Sequence, residues 1–340
     1  TGLGEDARLA EAVAAFARDL PEGKILPLAR RGNVVGALDM GLAPTLLPGR
    51  VSETSAHDIL EAEWGPLPEG LGRNATGILE GLRDGELNAL LLLGTDPIRD
   101  HPTPQLARQA LDNAELVVAF DQYLTDSSRL ADVVFPVVGF AEVEGTVTNI
   151  EGRVQKVNRL VPGPGQTRPA WSVLDDLARR MGGDLGAPSA ATLAKEIERV
   201  APAYHGVTWD VLDWGEGREG LVLPLDAGVQ PLEYIPVDPN LAATSAEYGI
   251  HLGRVLYDDG VRVRMSPSLA PLAPDAAVYL NAAEAVALGL APGQKVLVEG
   301  DAGSAELPLA IDNSLGNGTA YVPANLAATR TLGGPVAVAI

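Results

Sequence analysis

Three glutamates, Glu142, Glu144 and Glu151, fall close together in the chain, and Arg153 follows two positions after the last of them. Two carboxylates can serve as acid and base when one pocket drives their pKa values apart. Glutamates beside an arginine in a loop more commonly make ion pairs and loop hydrogen bonds. The expectation is therefore that Arg153 ties the Glu151 loop together as a structural residue. Two further groups stand where an α/β sheet binds ligands. Gly94-Thr95-Asp96-Pro97 and Asp121-Gln122-Tyr123 each follow a short apolar run, and in open parallel sheets the crevice lies at the carboxyl ends of the strands. The four histidines, His57, His101, His205 and His251, are too far apart for a local metal-ligand pair. There is no cysteine, hence no thiolate site for a metal or iron–sulfur cluster within this chain. No nucleophile elbow, P-loop or dinucleotide fingerprint occurs, so no catalytic residue is assigned.

The elements that must position these residues follow from periodicity. Apolar spacing predicts an amphipathic helix over Asp6–Asp19, a short strand at Lys24–Leu28, a Gly/Pro-rich loop from Arg31 to Arg50, and a helix over Ser55–Glu63 that Ser55 and Asp58 would cap. From Ala75 to Val134, helices at Ala75–Arg83 and Pro104–Leu111 alternate with the apolar runs Asn88–Leu93 and Glu115–Phe120, the pattern of a parallel sheet covered on both faces. Pro162-Gly163-Pro164-Gly165 is a hinge, and helices follow at Pro169–Met181 and Ser189–Val200. Few periodic signals mark Pro202–Gly249. Thereafter strands are expected at Gly253–Leu256, Val261–Arg264, Ala277–Leu280, Lys295–Glu299, Ala305–Ile311 and Thr319–Val322, with one helix capped by Asn281 and closed by Gly289. Short strands with one inserted helix favour a closed barrel. The expected division is an α/β domain at 1–185, a connector with a helix and short strands at 186–249, and a β-barrel domain at 250–340.

The 340 residues suffice for two cores. Hydrophobic residues make up 46% of the chain and charged residues 21%, which excludes disorder, while the net charge of −20 argues against a nucleic-acid partner. The longest apolar runs are too short to span a bilayer. Absence of cysteine fits a reducing, cytoplasmic compartment. The glycosylation sequons at Asn74 and Asn317 read as chance matches. The start at Thr1 without Met suggests a fragment of a longer or processed polypeptide.

One region is specific: Ala131-Asp132-Val133-Val134-Phe135-Pro136, then Glu142 through Gln155 with Gly145-Thr146, Asn149 and Glu151-Gly152-Arg153. It resembles the ADVVLP and E-x-x-G-T-x-x-N-x-E-G-R-x-Q blocks of molybdopterin oxidoreductases. Three more blocks agree in order. Asn33 through Gly41 with Pro44 and Pro48-Gly49 is similar to N-x-x-G-A-x-D-M-G…P…P-G. Ala89–Pro97 resembles an apolar strand ending in G-x-N-P, and Leu269–Gly293 resembles part of the carboxy-terminal domain.

The resemblance implies a Rossmann-like parallel-sheet domain with helices on both faces, followed by a double-psi β-barrel, the two together gripping a bis-guanine-dinucleotide molybdopterin. Carried over residue by residue, the contacts fall on Gly94, Thr95, Asp96, Pro97, Asp121, Thr125, Gly145, Asn149 and Arg153. Glycine lets backbone N–H groups approach phosphate, and an aspartate can accept from a guanine edge. Asp96 departs from the family's asparagine and would repel a phosphate. Asp258-Asp259 puts acid where the cofactor is anionic. These contacts are therefore expected to be vestigial and the chain to hold no cofactor. One branch of the family has such a history: the molybdopterin-like subunit of bacterial NADH-quinone oxidoreductase (respiratory complex I), whose iron–sulfur clusters lie amino-terminal to the molybdopterin-like part. By this resemblance the chain supports electron transfer from NADH to quinone in the peripheral arm of that proton-translocating complex. It would pack against other peripheral-arm subunits and the cluster-binding part upstream, on the inner face of the cell membrane without entering it. The alternative is the carboxy-terminal part of an active molybdopterin enzyme such as a formate dehydrogenase or nitrate reductase. Gly145→Val is expected to damage folding.

Overall fold

The computed structural model describes residues 7–20, 26, 28–29, 31–52, 57–68, 70–214, 216–224, 249–300 and 303–332. Helix α1 (Ala7–Arg18) comes first, and α2 (Val34–Asp39) leads to a small antiparallel ladder of β1 (Leu46–Leu47) and β2 (Val51–Ser52). Helices α3 (His57–Trp64) and α4 (Ala75–Arg83) precede β3 (Ala89–Leu93), α5 (Pro97–Asp100), α6 (Pro104–Asn113), β4 (Leu116–Asp121) and β5 (Val133–Pro136). Next come β6 (Gly145–Thr148), β7 (Arg153–Val157), α7 (Ala170–Arg180), α8 (Ala190–Val200), α9 (Trp209–Trp214) and β8 (Leu221–Val222). The last portion holds β9 (Gly249–Arg254), α10 (Val261–Arg264), β10 (Val278–Leu280), α11 (Ala282–Ala287), β11 (Lys295–Gly300), β12 (Gly303–Ile311) and β13 (Thr319–Ala324). The strand expected at Lys24–Leu28 and the Ser55 cap lie outside the described residues, as does most of 225–249.

The chain is mixed α/β. Strands β3, β4 and β5 form a parallel sheet in that order, with Leu91 beside Val118 and Leu93 beside Phe120. Alternation places Leu90, Leu92, Val117 and Ala119 on one face, where they meet α4 and α6 through Leu79, Leu82, Leu106, Ala107 and Leu111. On the other face α7 lays Val173, Leu174 and Leu177 over Val118 and Phe120. Phe120 is fully buried and stacks on Phe135 with centroids 5.2 Å apart. Asn74 starts α4 by accepting from Gly77 N at 2.8 Å, so this sequon asparagine is a helix cap.

A second core forms around the antiparallel sheet β6-β7-β8. Val154 packs there with Ala201, Ala203, Tyr204, Val207, Leu212 and Leu223, and Met40 lies against them. The span read as a connector thus supplies α8, α9 and β8 to a packed core. The Gly/Pro-rich stretch expected as loop from Arg31 to Arg50 contains α2, β1 and part of the turn to β2. Its periodicity was hidden because only Gly36 and Asp39 of α2 are buried, too few apolar positions to mark a face.

The carboxy-terminal sheet is mixed, in the order β11-β12-β10-β13-β9, with β9–β13 and β10–β12 parallel and β10–β13 and β11–β12 antiparallel. Val278, Leu280, Val298, Leu307, Ala320 and Val322 fill its core. Asn281 caps α11 by accepting from Glu284 N at 2.9 Å. Two expectations are corrected. The strand read at Gly253–Leu256 lies earlier, at Gly249–Arg254. Val261–Arg264, whose Val/Arg alternation reads as a strand, is one helical turn, with Val263 N and Arg264 N donating to Gly260 O. A β-pattern of four residues is a weak preference that local turns and ion pairs override.

Gly145 is also corrected. A Cβ there would meet nothing within 4 Å, and its φ is not among the positive ones. Gly220 is the intolerant position: φ is +93°, and a Cβ would fall 2.7 Å from Arg153 Cγ and 2.9 Å from Val154 O. In urea denaturation Gly145→Val should change stability by about 0.5 kcal/mol or less, while Gly220→Ala should lose on the order of 1–3 kcal/mol.

Candidate functional site

The carboxyl ends of β3 and β4 open toward the carboxy-terminal sheet. Gly94 leaves β3 at φ +60°, a left-handed value that glycine adopts without strain. Thr95 follows, and Asp96-Pro97 starts α5. Asp96 is 1% exposed, its carboxylate turned inward on the neighbouring loop. Its carboxylate accepts from Ser127 Oγ at 2.5 Å, from Ser127 N at 3.1 Å and from Asp126 N at 3.3 Å. Ser127 Oγ in turn accepts from Ile98 N at 3.0 Å. Thr125 is buried, and its hydroxyl donates to Ser128 Oγ at 2.9 Å while accepting from Ser128 N at 3.1 Å. Asp121 turns back on its own loop, accepting from Gln122 N at 2.7 Å and Tyr123 N at 3.3 Å. Burial raises its pKa above the ordinary aspartate value, opposed by these backbone donors.

Across this crevice runs a lattice of ion pairs. Arg99, on α5, is 9% exposed. Its Nη1 donates to Asp259 Oδ2 at 3.1 Å, and its Nε lies 2.7 Å from Asp126 Oδ2. Arg330 pairs with the same Asp259 carboxylate. Arg254 reaches Asp258 at 2.8 Å and Asp100 at 3.1 Å, while Arg31 and Arg264 lie 4.0 and 3.9 Å from Asp258 and Asp126. Asn325 Nδ2 also donates to Asp258 Oδ2 at 3.0 Å. Burial, then Arg99 nearby, lowers the pKa of Arg330 from the ordinary arginine value. The acidic loop Asp258-Asp259 is therefore matched by arginines drawn from both sides. Three buried donors here, Arg99 Nε, Arg264 Nε and Arg330 Nε, make no hydrogen bond, Arg99 Nε meeting Asp126 only as an ion pair.

The other sequence-derived residues gather elsewhere. Asn149 caps the β6–β7 turn, its Oδ1 accepting from Glu151 N at 2.9 Å and Arg153 N at 3.0 Å. Arg153 Nη1 donates to Gly220 O at 3.1 Å and its Nε lies 3.4 Å from Glu151. Asn149 lines a cleft of about 390 Å³ with Arg31, Asn33 and Thr148, and Gly145 lines a neighbouring one of about 220 Å³ with Trp171, Tyr204 and Trp209. Between them lies a buried chain that sequence reasoning missed. Arg50 grips Asp39 with Nε to Oδ1 at 2.5 Å and Nη2 to Oδ2 at 3.1 Å. Tyr204 OH donates to Asp39 Oδ2 at 2.9 Å, which leaves the Thr148 hydroxyl to donate to Tyr204 at 2.9 Å. Asn33 Oδ1 takes Thr148 N at 2.8 Å. Burial, reinforced by the Asp39 carboxylate, pushes the Tyr204 phenol well above its ordinary pKa. The signal available was the conjunction of two motif blocks, since Asn33 and Asp39 belong to one and Thr148 lies in the other.

Among the described residues no group of three His, Asp or Glu side chains could hold a metal ion, and no helix is long and apolar enough to cross a membrane. His101 works locally, its Nδ1 accepting from Thr103 N at 3.0 Å.

The family model Molybdopterin oxidoreductase matches residues 12–180, and Molydopterin dinucleotide binding domain matches 252–338. A subunit of the NADH-quinone oxidoreductase of Streptomyces coelicolor is 33% identical over 337 residues, covering 92% of this chain and 36% of that protein. NADPH-Fe(3+) oxidoreductase subunit alpha of Geobacter sulfurreducens is 32% identical over 81% of this chain and 31% of its own length. F420-dependent formate dehydrogenase 2 subunit alpha of Methanococcus maripaludis is 30% identical over 89% of this chain and 48% of its own length. The chain thus spans less than half of each of these relatives. Acetylene hydratase from Pelobacter acetylenicus shares the fold, with a TM-score of 0.56 at 20% identity, over 83% of this chain and 44% of the hydratase chain.

Two measurements probe the crevice. Arg99→Gln takes from Asp126 and Asp259 the cation they share, although Asp259 keeps Arg330 and Asp126 is partly solvated, and urea denaturation should show a loss of about 1–2 kcal/mol. Asp121→Asn keeps an acceptor for Gln122 N but removes a charge that burial disfavours. Because the folded pKa lies above the unfolded one, wild type holds its stability below the unfolded pKa and loses it as pH rises through the folded value. The variant should therefore melt higher than wild type at pH 7, and the gain should vanish at about pH 3, below the ordinary aspartate value.

Proposed function

The chain belongs to the molybdopterin oxidoreductase family, and from that premise we propose that it is a structural, cofactor-free portion of the molybdopterin-like subunit of an NADH-quinone oxidoreductase (respiratory complex I). In this reading it supports electron transfer from NADH to quinone in the peripheral arm. Iron–sulfur clusters would sit in polypeptide upstream of residue 1, and the neighbours would be other peripheral-arm subunits. Its place would be on the cytoplasmic face of the membrane. We also read residues 250–340 as a double-psi β-barrel, supported by the dinucleotide-binding family match and by parallel and antiparallel pairs mixed within one sheet.

The observation that carries the proposal is the carboxylate of Asp96 in the crevice. A sheet of this kind binds a phosphate through backbone N–H groups at the strand ends. Here the N–H groups of Asp126 and Ser127 are taken by Asp96, a negative side chain where a phosphate would need donors. The neighbouring arginines are balanced by Asp100, Asp126, Asp258 and Asp259. A guanine-dinucleotide molybdopterin with its pyrophosphates does not fit this donor set.

One observation favours the second reading, the carboxy-terminal part of an active molybdopterin enzyme such as a formate dehydrogenase. The donors without a hydrogen bond, Arg99 Nε, Arg264 Nε and Arg330 Nε, are groups an anion could use. Elemental analysis and acid extraction of the longest natural form of the protein separate the two. No molybdenum and no extractable guanine nucleotide are expected. Either one at a stoichiometric level overturns the structural reading.

A further inference from the structure

Of the eleven asparagines in the chain, only Asn317 precedes a glycine. An asparagine amide is chemically labile, because the backbone nitrogen of the next residue can attack its side-chain carbonyl carbon. A side chain on that next residue crowds the approach, and glycine removes the obstacle. Asn317-Gly318 lies in the turn between β12 and β13, just before Thr319, the first residue of β13. Gly318 has φ +71°, with open space where a Cβ would stand. Its N–H makes no hydrogen bond among the described residues, so the attacking nitrogen is not held elsewhere. Asn317 is exposed to water. Its Oδ1 accepts from Asn281 Nδ2 at 3.0 Å, which polarises the carbonyl under attack.

Several other asparagines are guarded. Asn313, in the same turn, is followed by Ser314, whose N–H already donates to Asp312 Oδ1 at 2.9 Å. Asn74 and Asn281 are helix caps, with Oδ1 bound to Gly77 N and Glu284 N. Asn33 holds Thr148 N, and Asn149 holds Glu151 N and Arg153 N. Each of these is also followed by a residue with a side chain.

We propose that Asn317 is a site of spontaneous covalent modification, converting to isoaspartate and so releasing Asn281, the residue that caps α11. Gly318 N gives up its proton to a base in solvent and bonds to Asn317 Cγ. The Cγ–Nδ2 bond breaks, and the amide takes up a proton and leaves as ammonia. Water then opens the cyclic imide. Attack at Cγ gives aspartate; attack at the main-chain carbonyl carbon gives isoaspartate, whose backbone runs through Cβ and Cγ. No electrons are exchanged: water enters and ammonia leaves. Either product adds a negative charge, but only isoaspartate lengthens the main chain. The added carbon falls immediately before β13, which lies between β10 and β9. The new carboxylate branches from Cα, away from the place where Oδ1 accepted from Asn281 Nδ2. Asn281 Nδ2 is left with Leu315 O at 3.4 Å. The chemistry is the same whichever functional reading of the chain holds.

The test keeps the folded 340-residue chain at mildly alkaline pH and follows tryptic fragment 296–330, which no Lys or Arg interrupts, by mass spectrometry. Residue 317 is expected to gain about 1 Da before any other asparagine, faster as pH rises. The product should accept a methyl group from an isoaspartate methyltransferase. Gly318→Ala should slow the conversion at least about tenfold, and Asn317→Gln should abolish the gain at this position. Amide exchange in α11 should speed up at least about threefold in the converted protein. Conversion at Asn313 or Asn325 ahead of Asn317 overturns the proposal. So does an unchanged residue 317 in the folded chain when the urea-unfolded chain converts there. Equal exchange in α11 before and after conversion overturns the link to the cap.

Discussion

A guanidinium at 9% exposure must have carboxylates around it, and the meeting of the two sheets is organised by that requirement at Arg99. One partner, Asp126, follows β4 in the parallel sheet, and the other, Asp259, comes from the loop before α10. Arg99 is thus fully matched only when the two halves are together. Asp259 also holds Arg330, whose own proton affinity is lowered by burial and by Arg99. Removing the aspartate would leave two like charges facing each other, so the pairs are interdependent rather than additive. In a chain of net charge −20, these particular aspartates are engaged in ion pairs between the parallel sheet and the carboxy-terminal sheet, whatever the rest of the acidic surface does for solubility.

The parallel sheet was legible because its signals are local. Asn88–Leu93 and Glu115–Phe120 are unbroken apolar runs, and buried parallel strands require that composition. The helices between them show helical spacing of apolar residues for the same reason. The turn at Val261–Arg264 was not legible. Four residues of Val/Arg alternation favour a strand, and only Gly260 before them and Asp126 across the crevice decide otherwise. The span after Pro202 hid its role because Tyr204 and Val207 sit in a 3-10 turn and loop, where burial has no period.

The site was legible by position and illegible by partner. Gly94, Asp96, Asp121 and Thr125 do lie at the carboxyl ends of β3 and β4, as their place after apolar runs implies. What the sequence hides is that Asp96 turns inward to Ser127, or that Tyr204 closes a chain from Arg50 through Asp39 to Thr148. Partners 31, 56 and 165 positions apart leave no spacing to read; only the fold brings them together.

The inward turn of Asp96 bears on how the crevice keeps its shape. Loops at a nucleotide site are commonly ordered by the ligand, because their N–H groups have no other acceptor. Here Asp126 N and Ser127 N go to Asp96, Ile98 N to Ser127 Oγ, Ser128 N to Thr125 Oγ1, and Gln122 N and Tyr123 N to Asp121. These donors at the strand ends are satisfied by side chains of the chain itself. Ordering by the protein's own carboxylates and hydroxyls removes the need for a ligand to fix these loops. A phosphate entering the crevice would first have to displace Asp96 from donors it already holds, and a buried carboxylate so displaced has nowhere to be solvated.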